Sequence, residues 1–352
     1  MPILSRRSIA LSAGLLLPGT GAAAGTALDP GEWTSFRQRF LSSDGRVIDT
    51  GNNNVSHSEG QGWGLMFAAA FNDRDAFDRI RTWTRRSLRR PRDQLHSWRF
   101  RPGASPPVDD PNNATDGDLY IAWGLLMAHA RWRHPPYLTE ALAIANDVLR
   151  LTLRRLGEDY LLLPGAAGFE APEGLTLNPS YIVLPAFVAL HQAAPRAGWD
   201  RITRTGLGLL RRARFGAWAL SPDWVTQAPR AEGALNLPDR WPPRFSFDAV
   251  RTPLLLAWAG ETRHPALLGA HSFWSNPRWP APPAWVDLVT GVTADYPASP
   301  GVRAIASFVT ARINGGGTPV SLLPVRESPD YYSASLTLLV RIACDTTATP
   351  LL

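Results

Sequence analysis

The sequence predicts an all-α protein, a single body of helices joined by loops rich in proline and glycine. Apolar residues recur at helical spacing in segment after segment, whereas alternating, strand-like runs are few. No linker divides the composition into two halves, and the chain shows no internal repeat. A helical bundle and a toroid of helical hairpins both fit this pattern, and periodicity alone does not choose between them.

The clearest predicted helix spans residues 73–88. Asp73 can cap its start, and one face is formed by Ala76, Phe77, Ile80, Trp83 and Leu88. Similar signals predict helices over 117–132, 139–155, 181–194, 200–214, 247–259, 301–312 and 331–344. Clusters of turn-forming residues predict loops at 101–113 and 274–285.

Residues 1–28 read as an export signal. Arg6 and Arg7 supply a positive start, residues 9–17 form a short apolar run, and residues 22–24 are the small ones that a signal peptidase prefers. The arginine pair also suits a twin-arginine signal, so the export route stays open. Because the apolar run is shorter than the roughly 20 residues that span a bilayer, we expect a periplasmic or secreted protein without a stable membrane anchor.

Composition excludes several classes of function. The net charge is +6 and all 36 basic residues are arginine, but they are scattered without a stripe of interleaved aromatic residues, so nucleic-acid binding is not expected. Cys344 is the only cysteine, which rules out an intrachain disulfide and a cysteine-based metal site. Zinc-protease, nucleophile-elbow and phosphate-loop motifs are absent. Carboxylates remain as the main chemical candidates.

Glu59 is the first carboxylate candidate. It stands between a loop of small polar residues and an apolar segment, in what we expect to be the first turn of a helix. Gly60, Gly62 and Gly64 follow it, although a helix loses about 0.8–1 kcal/mol for each glycine relative to alanine. We therefore expect something to pass close to this backbone. The structural alternative is a glutamate that interacts with free N–H groups at a helix start.

Two further segments carry carboxylates at helix starts. Asp116 and Asp118 precede an apolar helical face, where aspartates are commonly capping residues. Asp248 and Arg251 stand three residues apart, which on a helix is the spacing of an ordinary salt bridge. Hydrolysis of a glycosidic bond needs one carboxyl group as acid and another as base, and three acids from separate elements could supply them.

The motifs around these acids closely resemble those of glycoside hydrolase family 8. The string ATDGDLYIA at 114–122 resembles the family signature, although Gly124 departs from its usual serine or alanine, and SHSEGQGWG at 56–64 resembles the proton-donor segment. Further matches follow in order, so the resemblance runs from about residue 30 to 345: SWRF, LNPSY, PDW, RFSFDAVR and PDYYSASLTLL. The likeness is greatest to the cellulase branch encoded with bacterial cellulose synthase.

This resemblance implies a single catalytic domain over residues 29–352, folded as an (α/α)6 toroid with a groove across one rim. It implies an inverting endo-1,4-β-glucanase with cellulose as substrate, the synthase complex as a candidate partner, and no cofactor. By motif it makes Glu59 the general acid, Asp248 the base, and Asp116 the carboxylate that holds the sugar. The remaining implied site residues are Arg251 beside the attacking water and the glucan-contacting Trp98, Tyr181, Tyr331 and Tyr332.

Other readings stay open. Trp83, Trp123 and Trp258 lie in apolar helical stretches and are expected in the core. His57 is either a groove residue or a hydrogen-bonding loop residue. The chain could instead be a non-catalytic glucan-binding accessory protein, or a hydrolase acting on xylan or chitosan.

Overall fold

The computed structural model describes residues 28–229, 234–316, 320 and 322–348. Apart from Leu28, the expected export signal lies outside these residues. Eleven α-helices run through the described part of the chain: α1 Pro30–Phe40, α2 Ser58–Ala70, α3 Arg74–Ser87, α4 Thr115–Trp132, α5 Pro135–Thr152, α6 Leu184–Ala193, α7 Trp199–Arg212, α8 Arg251–Trp258, α9 Pro265–Trp274, α10 Pro300–Ile313 and α11 Tyr331–Ala348.

Six of these helices form a closed ring. Helix α2 packs against α4, α4 against α6, α6 against α8, α8 against α10, α10 against α11, and α11 returns to α2. The odd-numbered helices α3, α5, α7 and α9 each pack against the preceding or following ring helix in the chain. A closed ring of helical hairpins is a toroid, so the structure decides between the two architectures that the sequence left open.

Helix α3 has the cap and the buried face that its sequence predicts. The Asp73 side chain accepts a hydrogen bond from the Ala76 N–H at 3.0 Å and caps the helix as predicted. Its predicted apolar face, Leu88 included, is buried against the rest of the molecule. The three tryptophans expected in the core are also buried, and the rings of Trp123 and Trp258 lie 4.9 Å apart.

Five predicted helix boundaries are wrong by three or more residues. Helix α5 begins four residues earlier than predicted and α11 ends four residues later. Residues 153–155 leave α5 and enter a strand, because Gly157 (φ +61°) turns the chain back on itself. Tyr181 lies in a short 3-10 helix, Pro179–Tyr181, ahead of α6. Residues 247–250 form turns before α8, so Asp248 is not a helical residue. Two helices, α1 and α9, were not predicted.

Short antiparallel strands join the helices. They are β1 Ser56–His57, β2 Arg99–Phe100, β3 Leu153–Leu156, β4 Asp159–Leu162, β5 Glu170–Ala171, β6 Gly174–Leu177, β7 Val225–Gln227, β8 Leu235–Asn236, β9 Arg244–Phe245 and β10 Val286–Asp287. Strands β5, β6, β7 and β8 form one sheet in that order, and the other six pair two by two as β1–β2, β3–β4 and β9–β10. Within the described ranges, no helix is long and apolar enough to cross a bilayer.

Candidate active site

Glu59 lies in the first turn of α2, as predicted, and the glycines after it make room for neighbouring helices. A Cβ at Gly62 would lie 2.6 Å from the Tyr120 Cβ on α4, and one at Gly60 would collide with the Tyr331 hydroxyl on α11. The prediction that something passes close to this backbone is confirmed. The close neighbours are helices of the ring, which hold the start of α2 in place.

Asp116 lies at the start of α4, directly beside the start of α2. A Cβ at Gly117 would lie 2.7 Å from the Glu59 backbone nitrogen, so the two helix ends touch through their main chains. The capping alternative is not seen here, because Ala114 is the N-cap residue of α4 and no side chain caps the helix. Asp116 instead turns one carboxylate oxygen to the N–H of Gly117 at 2.8 Å, and its other oxygen lies 3.5 Å from the Arg251 guanidinium.

Asp118 belongs to the scaffold. Its carboxylate accepts a hydrogen bond from the His96 backbone N–H at 2.9 Å and one from the Asn113 side chain at 3.0 Å, and the His96 ring lies 2.9 Å away. These contacts tie the loop between α3 and α4 to the helix start. Asp116 and Asp118 therefore have different roles, Asp116 at the candidate site and Asp118 in the scaffold.

The side chain of Arg251, the first residue of α8, joins the candidate acids. One guanidinium nitrogen bonds to Glu59, and the other lies 2.8 Å from Asp248 and 3.5 Å from Asp116. That second nitrogen also donates to the Ser180 hydroxyl at 2.9 Å. The salt bridge expected between Asp248 and Arg251 exists, but it is one part of a larger cluster. The guanidinium side chain is only 4% exposed, whereas Asp248 is 32% exposed and lies at the edge of the cluster.

The protonation states within this cluster differ. Burial raises the pKa of Glu59 well above its usual range, against the effect of Arg251, and the charges of Asp116 and Asp248 raise it further. Burial also raises the pKa of Asp116, to about 6, while Arg251 and a hydrogen bond from Glu59 oppose that shift. The hydrogen bond between the two carboxyl groups raises the pKa of Glu59 and lowers that of Asp116, so Glu59 holds a proton more strongly than its neighbour does.

Comparison with known proteins decides the family. The chain matches the family model of glycosyl hydrolases family 8 over residues 1–346. It belongs to glycosyl hydrolases family 8.

Relatives of this family 8 chain span most of its length. It is 43% identical to a probable endoglucanase of Novacetimonas hansenii, over 95% of this chain and 96% of that protein. The solved endoglucanase from Komagataeibacter sucrofermentans superposes with a TM-score of 0.83 at 42% identity, covering 89% of this chain and 96% of that one. The endo-β-1,4-glucanase from Acetobacter xylinum has the same identity and coverage, with a TM-score of 0.82. The predicted (α/α)6 fold is confirmed.

The aromatic residues implied for glucan contact surround the family 8 site at different depths. Trp98 is half-buried, its ring is stacked on His57 at 6.3 Å, and its indole N–H donates to Asp110 at 2.9 Å. Burial lowers the pKa of His57 to about 4, and the charges of Arg99 and Arg251 add to this effect, so the ring is neutral near pH 7. This neutral ring lies beside Trp98, and His57 is also the N-cap residue of α2.

The three implied tyrosines reach the site from two elements. Tyr332 donates its hydroxyl hydrogen to the Phe247 carbonyl, next to Asp248. Tyr331 is buried beneath Gly60, with its ring 5.9 Å from that of Phe40. Tyr181 lies next to Ser180, the residue that accepts a hydrogen bond from Arg251, and is itself only partly buried.

Sequence reasoning missed some residues around the site. Trp224 and Trp241 are stacked with ring centroids 4.5 Å apart, and Phe169 is parallel to Trp224 at 5.9 Å. Asp223 is buried beside the turn that carries Asp248 and binds that turn. The PDW motif at 222–224 was the available signal for both Asp223 and Trp224, but a three-residue match assigns no contact. Among the described residues, no group of three or more His, Cys, Asp or Glu side chains is arranged to hold a metal ion.

Proposed function

We propose that this family 8 chain is an endo-1,4-β-glucanase that hydrolyses internal bonds of cellulose with inversion. The observation that carries the proposal is the Arg251 cluster, in which one buried guanidinium contacts Glu59, Asp116 and Asp248. The relatives support it, because the Novacetimonas hansenii protein is a probable endoglucanase, the Komagataeibacter sucrofermentans protein is an endoglucanase and the Acetobacter xylinum enzyme is an endo-β-1,4-glucanase.

In the proposed reaction, Glu59 gives its proton to the glycosidic oxygen as the bond to the anomeric carbon breaks. Asp248 removes a proton from a water molecule, and the water oxygen bonds to the anomeric carbon from the opposite face. Glu59 ends ionised and Asp248 ends protonated, and exchange with solvent restores both. The raised pKa of Glu59 supports its role as acid, and the partial exposure of Asp248 leaves space for water.

The other site residues act around this step. Asp116 accepts hydrogen bonds from the hydroxyls of the sugar at the cleavage point, which its position beside Glu59 supports. Arg251 orients the carboxylates and stabilises their negative charge. Trp98, Tyr181 and Tyr332 contribute ring faces or hydroxyls to the glucan, since aromatic rings offer flat apolar surfaces with polar edges. Tyr331, which the sequence resemblance also implied, is only 3% exposed and instead supports the start of α2 from beneath Gly60.

Replacing Glu59 by glutamine tests the proposal. Glutamine keeps the shape but has no ionisable proton, so turnover on carboxymethylcellulose should fall by at least about 10²-fold. In the wild-type enzyme the rate should fall as pH rises through the pKa of Glu59, and the variant's residual rate should lack that limb. Glu158→Gln, on the exposed turn between β3 and β4, is the matched control and should retain wild-type turnover. Release of reducing ends by Glu59→Gln at the wild-type rate would end the assignment.

Two measurements separate this proposal from its alternatives. NMR of freshly released product should show the α-anomer first, whereas β-product would contradict inversion. Rates on carboxymethylcellulose, xylan and chitosan should favour the cellulose derivative. Binding to cellulose without any release of reducing ends would instead indicate a non-catalytic accessory protein.

We also propose that residues 1–28 direct export to the periplasm or medium, where the enzyme acts on glucan made by a cellulose synthase complex. The charged start and short apolar run support the first part, and the sequence resemblance to synthase-associated cellulases supports the second. Fractionation of producing cells should place the enzyme outside the cytoplasm, and deletion of residues 1–28 should retain it inside. Co-purification with the synthase from crosslinked cells tests the partnership.

A further inference from the structure

Asp223 is a buried carboxylate that binds the turn before α8. One of its oxygens accepts hydrogen bonds from the backbone N–H groups of Ser246 and Ala249, at 3.1 and 2.8 Å, and the other accepts the Ser246 hydroxyl. Its own N–H donates to the Arg244 carbonyl at 2.8 Å. Asp223 therefore attaches both the end of β9 and the following turn to the segment that precedes β7.

The turn from Ser246 to Ala249 carries Asp248, so the Asp223 bonds lie on both sides of the proposed base. On the opposite side of the turn, the Tyr332 hydroxyl holds the Phe247 carbonyl. The Asp248 side chain itself is partly exposed, and its contact with Arg251 at 2.8 Å is its one close ion pair among the described residues. The direction of Asp248 thus depends on the main chain of this turn.

We propose that Asp223 is a positioning residue for Asp248, which it holds toward the attacking water through the N–H groups of the turn. This inference rests on the proposed function, in which Asp248 is the base. A displacement of about 1 Å at a reacting group can cost on the order of 10²-fold in rate. The hydrogen-bonded carboxylate therefore contributes to turnover without contacting the glucan.

The charge of Asp223 also acts on the same step. Burial raises the pKa of Asp223 to about 7, the neighbouring charge of Asp248 adds to the shift, and the bonds from Ser246 and Ala249 oppose it. The titratable groups that face Asp223 are Asp248 and, from α11, Tyr332. When Asp248 takes a proton from water, one of two neighbouring negative charges disappears. The charge of an ionised Asp223 therefore repels the Asp248 carboxylate before the step, and the step relieves that repulsion.

Two substitutions separate position from charge. In Asp223→Asn the amide oxygen can still accept both N–H bonds, and the amide nitrogen can donate to the Ser246 hydroxyl oxygen, so the turn stays in place while the charge is lost. In Asp223→Ala the attachment itself is lost. For Asp223→Ala we expect kcat on cellohexaose to fall by about 10- to 100-fold, with KM within about threefold of wild type. For Asp223→Asn we expect a smaller loss of kcat, and the variant should lack the change in kcat that ionisation of Asp223, with its pKa of about 7, causes in the wild type.

Two controls make the test specific. Asp287 likewise accepts two backbone N–H bonds within its own turn, from Val289 at 3.0 Å and Thr290 at 2.8 Å, and Asp287→Ala should leave kcat unchanged. In an Asp248→Asn background, Asp223→Ala should lower the residual rate by less than about threefold, because it acts through the group already removed.

The possible outcomes bear differently on the inference and on the proposed function. Equal losses of kcat from Asp223→Ala in both backgrounds would indicate general damage to the fold and would overturn the inference. Wild-type kcat in Asp223→Ala, or a rise in KM alone, would also overturn it while leaving the proposed function standing. An inactive wild-type enzyme on every β-1,4-glucan would refute the proposed function itself, and the inference with it.

Discussion

Replacing Arg251 by methionine should destabilise the fold strongly at neutral pH and much less at mildly acidic pH. The guanidinium is almost fully buried and contacts three carboxyl groups. Removing one partner of a buried ion pair typically costs about 3–5 kcal/mol, because the remaining charge is left unpaired. We expect about 3 kcal/mol at pH 7, the lower end of this range, because the raised pKa of Glu59 reduces its negative charge and Asp248 is one-third exposed.

The pH dependence follows from the carboxyl groups left behind. Burial already raises the pKa of Asp116 to about 6 and that of Glu59 well above its usual range, and Arg251 opposes both shifts. Without Arg251 both groups hold their protons to higher pH. A raised folded-state pKa stabilises the fold below that pKa and loses this contribution as pH rises through it. At pH 5 both groups are neutral, so we expect a loss of about 1 kcal/mol.

Thermal unfolding of the wild type, Arg251→Met and Arg251→Lys at pH 5 and pH 7, followed by circular dichroism, measures this effect. With about 2 °C per kcal/mol for a chain of this size, Arg251→Met should lower Tm by about 6 °C at pH 7 and about 2 °C at pH 5. Lysine keeps the positive charge, so its loss at pH 7 should be smaller. Equal Tm losses at the two pH values, or no loss at pH 7, would refute this account of the cluster.

Two further pairs of variants test the packing and the groove. Gly62→Ala should cost about 1–3 kcal/mol of unfolding free energy, because its Cβ would lie 2.6 Å from the Tyr120 Cβ. In α7, a Cβ at Gly208 would have no neighbouring atom within 4 Å, so Gly208→Ala should raise the unfolding free energy by about 0.5–1 kcal/mol. Urea denaturation measures both variants, and shifts of the same sign would contradict the packing argument. Trp98→Ala should raise KM for cellohexaose by about five- to tenfold at unchanged Tm, in line with about 1 kcal/mol from a lost ring contact. Trp123→Ala should instead lower the unfolding free energy by about 3–5 kcal/mol, and an unchanged KM in Trp98→Ala would remove that ring from the groove.

Local sequence signals work best for helices that bury one face and expose the other. Helix α3 has a capping aspartate, an apolar face and charged residues on the other side, so sequence and structure agree there. Helices α2 and α4 are buried on nearly all sides. The start of α2 was located by Glu59 and the glycines after it, whereas α4 was predicted over 117–132 from its apolar periodicity, although the structure buries far more of it than one face. Strands β3 and β4 were missed because the apolar pattern continues through the end of α5 into the turn.

The candidate site shows a different limit of prediction from sequence. The motifs identified Glu59, Asp116, Asp248 and Arg251, and the structure brings these four side chains together. They could not reveal that Asp223 accepts hydrogen bonds from the N–H groups of Ser246 and Ala249. That contact spans more than twenty residues of chain, and no local propensity encodes it. A second distant contact occupies the Phe247 carbonyl with the Tyr332 hydroxyl, while the Arg251 N–H bonds to the Asp248 carbonyl at 3.1 Å, so α8 begins at Arg251 and not at residue 247.

The main-chain contact between the starts of α2 and α4 has a consequence for redesign. Because Gly117 leaves no room for a Cβ above the Glu59 nitrogen, the spacing between the two carboxyl-bearing turns is set by backbone atoms. An engineer who repacks the apolar interior for heat resistance can exchange many large side chains without altering that spacing. Any larger residue at position 117 would wedge the two turns apart, so this one position constrains a library more than the surrounding core does.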